Sequence, residues 1–224
     1  MTIEHIIVHD TRLRGTVSPQ ENARLVRTHC ETTDQISTRV NDLCSGGGGA
    51  AQSMQVSSRI RDRADSVPVP VISILAHGAS IESGPLDWVM QLGTNCVDKN
   101  NAREFGRSIR RCVSDRIRVL CCNAAGTDDA KATMRALAQG AGVPVFASTT
   151  NQRYARGLGT GDRVLGYFRR EGEHGGWINF GRWEGVVMRF PPSGGEGTVA
   201  FRGDPLSSTP ASNPEDDPYQ VVCQ

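Results

Sequence analysis

Two stretches decide how this chain is read: VISILAHGAS, Val71 to Ser80, and IRVLCCNAAG, Ile117 to Gly126. Each is an apolar, β-branched run of strand length that stops at a reactive side chain, His77 in the first and Cys122 in the second, followed by small residues. In open α/β sheets the ligand crevice lies beyond the carboxyl ends of the strands. Two strands ending in His and Cys can therefore offer a base and a nucleophile to one substrate.

Outward from these runs the elements alternate as an α/β fold requires. Ile3 to Val8 reads as a short strand. Ser18, Pro19 and Glu21 have the order of an N-cap, a first-turn proline and a capping-box acid, predicting a helix with Ile36, Val40 and Leu43 on one face. SGGGGA, Ser45 to Ala50, ends that helix; with no Gly-Lys-Ser/Thr after it, it reads as a flexible loop rather than a phosphate cradle. A polar helix or loop is expected over Gln52 to Asp65. Ala102, Phe105, Ile109 and Cys112 form one face of a second helix, and its arginines 103, 107, 110 and 111 read as a solvated face.

Thr127 caps a third helix with Met134, Leu137, Ala138 and Ala141 as its apolar stripe, closed by Gly140 and Gly142. Val143 to Ala147 is the next strand. Right-handed crossovers then make the strands between Val69 and Ser148 parallel, with helices on both faces and the His77 and Cys122 strands adjacent. VLGYFRR, WINF and VVMRF, separated by glycine and charge, predict an antiparallel hairpin at one edge. Residues 1–190 form the expected domain and 191–224, rich in Pro, Ser and Gly, a mobile tail.

At 224 residues the chain suits one domain with a sizeable core. A net charge of +1 and 5% aromatics argue against nucleic acid as a partner. No apolar run approaches the roughly 20 residues of a membrane span, and the N-terminus lacks the basic and apolar segments of a signal peptide. The expectation is a cytoplasmic protein, or one exported without a cleavable signal. Seven cysteines without CxxC spacing read as thiols rather than disulfides or metal ligands; no metal and no cofactor is expected.

The His-Gly strand end, the later strand ending in Cys and small residues, the following helix and the VPVFAS strand together resemble the caspase-like (clan CD) cysteine peptidases. LCCNAAG is most similar to their bacterial toxin- and effector-associated branch. The likeness spans Ile3 to Ser148. Ala76 before the His, where Ser or Thr is frequent, and Cys121 before the second reactive residue depart from the pattern. The resemblance implies a three-layer αβα sandwich with a mainly parallel, caspase-like sheet and a C-terminal antiparallel hairpin.

It also implies a cysteine endopeptidase acting on a protein or peptide, self-processing or an effector. His77 would protonate the leaving amine, Cys122 would attack, and the N–H groups of Gly78 and Cys122 would form the oxyanion hole. Chemistry asks for the same types: a thiol of pKa near ~8.5 needs an imidazole or a helix N-terminus to form thiolate at neutral pH. The helix beginning near Asp128 is within reach of Cys122. His174 is the rival base.

By the same resemblance, an acidic residue before the cut would be read by arginines following the first strand, Arg12 and Arg14, and following the VFAS strand, Arg153 and Arg156. Asp10 and Asp162 are the acidic counterparts for other preferences. Alternatives are an inactive caspase-like domain that binds partners, and a thiol redox protein using Cys121 and Cys122.

Overall fold

The computed structural model describes residues 3–13, 15–19, 22–29, 31–45, 69–79, 86–152, 166–170, 178–179, 183 and 185–203. In chain order its elements are β1 (His5–Asp10), β2 (Gly15–Pro19), β3 (Ala23–Thr28), α1 (Thr33–Cys44), β4 (Val69–Leu75), β5 (His77–Ala79), β6 (Val89–Gln91) and α2 (Ala102–Ile109). A 3-10 turn at Arg110–Cys112 leads to β7 (Val113–Leu120), α3 (Asp128–Ala141), β8 (Val145–Ser148), β9 (Gly166–Arg170), β10 (Ile178–Asn179), β11 (Val186–Phe190) and β12 (Thr198–Arg202).

Seven strands form one sheet in the order β12-β11-β8-β7-β4-β1-β3. Four of its six junctions are parallel, and the two that involve β11 are antiparallel, so the sheet is mainly parallel. The connections from β3 to β4, β4 to β7 and β7 to β8 all advance the same way across it. Right-handed crossovers place all three on one face. There α1, α2 and α3 pack through Ile36, Val40, Phe105, Ile109, Met134 and Leu137 onto Ile6, Val8, Ile72, Ile74, Ile117 and Val119.

The step from β1 to β3 runs backwards, and the same rule sends it to the other face. Leu13 and Val17 from that connection, with Trp183, cover Ile7, Leu75 and Leu120 there. The reversal lies at β1, whose two neighbours in the sheet are β3 and β4. Crevices for ligands open at such a switch point, beyond the carboxyl ends of the strands. His9, Asp10 and His77 stand at that end.

The second and third predicted helices form with their predicted faces buried: Ala102, Phe105 and Ile109 in α2, Met134, Leu137, Ala138 and Ala141 in α3. Thr127 caps α3 by accepting from the Ala130 amide, and Gly142 closes it at φ 74°. Glycine is required where α2 and α3 cross, because a Cβ on Gly140 would meet the Arg103 carbonyl and one on Gly106 the Leu137 carbonyl.

Four expectations are corrected. The described helices α1, α2 and α3 all lie on one face of the sheet instead of on both, because their three connections advance the same way across it. Ser18 and Pro19 end strand β2 instead of opening a helix; the capping box that forms is Thr32 with Gln35, each side chain serving the other's backbone. ARLVRT is instead strand β3, parallel to β1. It buries Val26 and Thr28 on successive alternate positions, a period of two read as part of a longer helix.

The C-terminal hairpin is β11 with β12, whereas β9 pairs with β10 and β2 in a separate antiparallel sheet. The ordered sheet therefore runs past residue 190, and the predicted boundary falls inside the hairpin. A five-residue strand exposed along its whole length carries no burial signal by which sequence reading could find it. Finally, Cys96 is disulfide-bonded. Its loop reaches the end of β3 through the Thr94 amide donating to the Glu31 carbonyl at 2.9 Å, a contact cysteine spacing does not reveal.

Of the remaining sequence readings, the Ser45 to Ala50 glycine loop beyond Ser45, the 52–65 segment, Arg14, Arg153, Arg156, Asp162, His174 and the tail after residue 203 lie outside the described residues. Among the described residues no helix is long and apolar enough to cross a membrane, and no cluster of three or more His, Cys, Asp or Glu could hold a metal ion.

Candidate active site

Strands β4 and β7 are parallel neighbours whose last paired residues are Leu75 and Leu120. His77 and Cys122 each stand two residues past that point, and both are half-buried. Adjacent strands lie about 4.8 Å apart, so the register brings His77 and Cys122 to the same, carboxyl end of neighbouring strands. Side chains alternate across a strand. Cys121 accordingly sits in the helix-side core at 1% exposure, and Cys122 follows the parity of Leu120.

After Ala76 the chain leaves the sheet and forms a two-stranded antiparallel ribbon, with His77 opposite Gln91 and Gly78 opposite Met90. Gly78 packs backbone to backbone on the second site segment: a Cβ there would overlap the Cys122 carbonyl oxygen and stand 3.0 Å from Trp88 Nε1. The fully buried Trp88 donates its indole N–H to that same carbonyl at 3.0 Å. Glycine at 78 is thus demanded by the approach of Cys122's own backbone.

Beyond Cys122 the chain turns sharply, with Asn123 in the left-handed region at φ 51°. The turn is tied to the end of β8, where the Asn123 amide donates to the Thr150 carbonyl at 3.1 Å and the Ala125 amide to the Ser148 carbonyl at 2.8 Å. Helix α3 begins only at Asp128. Its first turn carries Asp128 and Asp129, and Asp129 also accepts from Lys99 and from the Asp87 amide. These carboxylates answer the helix dipole locally.

On the other side, His77 is braced from β1. Its Nε2 lies 3.3 Å from the Arg12 carbonyl. A carbonyl only accepts, so in this bond Nε2 carries the proton and the neutral ring keeps its lone pair on Nδ1. The carbonyl is fixed by a clip around the fully buried Asp10 carboxylate. That group accepts from the Arg12 amide at 3.0 Å, from Arg12 Nε at 2.8 Å and Nη2 at 2.6 Å, and from the Gly93 amide at 2.9 Å. Arg12 Nη2 also donates to the Gly93 carbonyl at 2.7 Å.

Both groups are thereby withdrawn from the substrate roles considered above. The Arg12 side chain is 10% exposed and committed to Asp10, so neither forms part of a specificity pocket. Sequence reading missed the clip because its members are 83 residues apart, and missed Trp88, whose one signal was that a buried indole N–H needs an acceptor.

The electrostatics follow from burial. Desolvation pushes the Cys121 thiol up, reinforced by Cys122 and Asp10 and opposed only by a bond to the Ala76 backbone. Burial pulls His9 below its usual range, against its bond to the Leu13 carbonyl and the pull of Asp10; Arg27 and His77 add to the lowering. His77 therefore disfavours charge on His9.

Comparison of the chain with protein-family models, with curated proteins and with solved structures finds no match.

Proposed function

We propose that the chain is a cysteine endopeptidase in which Cys122 is the nucleophile and His77 the acid–base partner. The observation that carries this reading is the convergence of the two strand ends: Gly78 lies against the Cys122 carbonyl, and Trp88 holds that carbonyl in place. The Cys122 sulfur would attack the scissile carbonyl carbon to form a thioester, and His77 would protonate the departing amine. Water would then hydrolyse the thioester, releasing the acid and regenerating the thiol. Amides of Gly78 and Cys122 are the groups assigned to the oxyanion.

The finer architecture belongs to the same proposal: a three-layer, caspase-like sandwich. It is supported by the second apolar cluster on the face away from the helices. The vicinal cysteines suit a redox role less well. Cys121 is buried with its thiol pushed away from ionisation, and adjacent cysteines form only strained disulfides.

The test is incubation of the full chain with a diverse peptide library, products being read by mass spectrometry. Cleavage by the wild type and by Cys121→Ala, lost in Cys122→Ala, is expected. Cleavage that persists in Cys122→Ala, or a wild type that cuts nothing, overturns the assignment.

A further inference from the structure

Away from the site, two free thiols meet at the junction of α1 with the root of β7. Cys44 is the last residue of α1 and Cys112 the last of the 3-10 turn; they are 5% and 0% exposed. Cys44 Sγ donates to the Cys112 carbonyl at 3.7 Å. Cys112 Sγ reaches Asn41 Oδ1 at 2.9 Å, and Asn41 Nδ2 donates to the Ser108 carbonyl at 3.1 Å, so both cysteine-bearing segments are held against one another. A bond between the Ser37 and Ser108 hydroxyls at 2.6 Å fixes the same helix pair one step further along.

We infer that Cys44 and Cys112 are a disulfide-forming pair, closed by a peroxide or by a small-molecule disulfide such as oxidised glutathione. The other described free thiols, Cys121 and Cys122, are neighbours directed to opposite faces of the chain. Contact with Cys112, together with burial, pushes the Cys44 thiol up.

With hydrogen peroxide, the Cys112 thiolate attacks one oxygen, the O–O bond breaks and hydroxide leaves, giving a sulfenic acid. The Cys44 sulfur then attacks the sulfenic sulfur and displaces its oxygen. The net reaction converts two thiols and one peroxide into one disulfide and two waters. With oxidised glutathione the same bond forms by exchange, releasing two reduced glutathiones. The crosslink spans a separation of 68 residues that contains β4 and His77, and anchors α1 to the strand that delivers Cys122. Long loops of this kind constrain the unfolded chain most.

The experiment treats the full chain with hydrogen peroxide and, separately, refolds it from the reduced, denatured state in a glutathione redox buffer, where burial does not limit access. Remaining thiols are alkylated in denaturant and peptides mapped without reduction. The expected result is a Cys44–Cys112 linked peptide in most molecules and a melting temperature higher by roughly 5–10 °C than that of the reduced chain. Both changes are absent in Cys44→Ser and in Cys112→Ala. Full alkylation of Cys44 and Cys112 in both treatments, or a link from either to another cysteine, overturns the inference.

Discussion

The carbonyl oxygen of Cys122 fills the space that a Cβ on Gly78 would need. A methyl group there cannot be accommodated by a side-chain shift, because the obstacle is backbone and the indole of Trp88 closes the other side. Gly78→Ala should therefore push the β5–β6 ribbon away from Cys122, costing about 2–3 kcal/mol of stability. Peptide cleavage should fall at least about 10²-fold, since small misplacements of reacting groups are expensive. Denaturant melts together with initial rates check both.

Trp88→Phe keeps the bulk and removes the N–H that holds the Cys122 carbonyl. Leaving that acceptor without its donor should cost about 1–2 kcal/mol. Alkylation of Cys122 at fixed pH should slow or become heterogeneous, whereas Trp88→Phe with unchanged melting and labelling would show that the carbonyl needs no such anchor.

Asp10→Asn leaves the guanidinium of Arg12 buried without its counter-charge. Breaking a buried pair from one side costs about 3–5 kcal/mol. Because the Arg12 carbonyl braces His77, the variant should also shift the pH–rate profile of peptide cleavage. A stability loss with an unaltered profile would confine Asp10 to holding the fold.

His9 supplies a pH dependence whose sign is determined by burial. Its folded pKa lies below that of the unfolded chain, near ~6.5, so the unfolded state binds more protons between the two values. His9's contribution is present above pH ~6.5 and is lost as pH falls from there towards the folded pKa. Denaturation midpoints measured from pH 7.5 down to about 5 should fall more steeply for the wild type than for His9→Gln.

Much of the fold was legible because parallel strands buried on both faces read as apolar runs: VPVISIL, the second half of β7 and VFAS all stand where those runs predict. α2 and α3 were legible through period and caps. β3 was not, because its alternation of buried and open positions is short and edge-like, and the Ser18–Glu21 pattern mimicked a helix start. Of the site, His77 and Cys122 announced themselves as reactive residues closing apolar runs. The parts that orient them did not: Asp10 meets Gly93, and Trp88 meets Cys122, only after the chain has folded across itself.

The most direct measurement of the central claim is the rate at which a peptidyl chloromethyl ketone alkylates the full chain, with the labelled residue mapped by mass spectrometry. The account predicts one label per chain, on Cys122, none on the buried Cys121, and a rate lower by at least about 10²-fold in His77→Ala. Labelling at another cysteine, or a Cys122 rate unchanged by removal of His77, would contradict it.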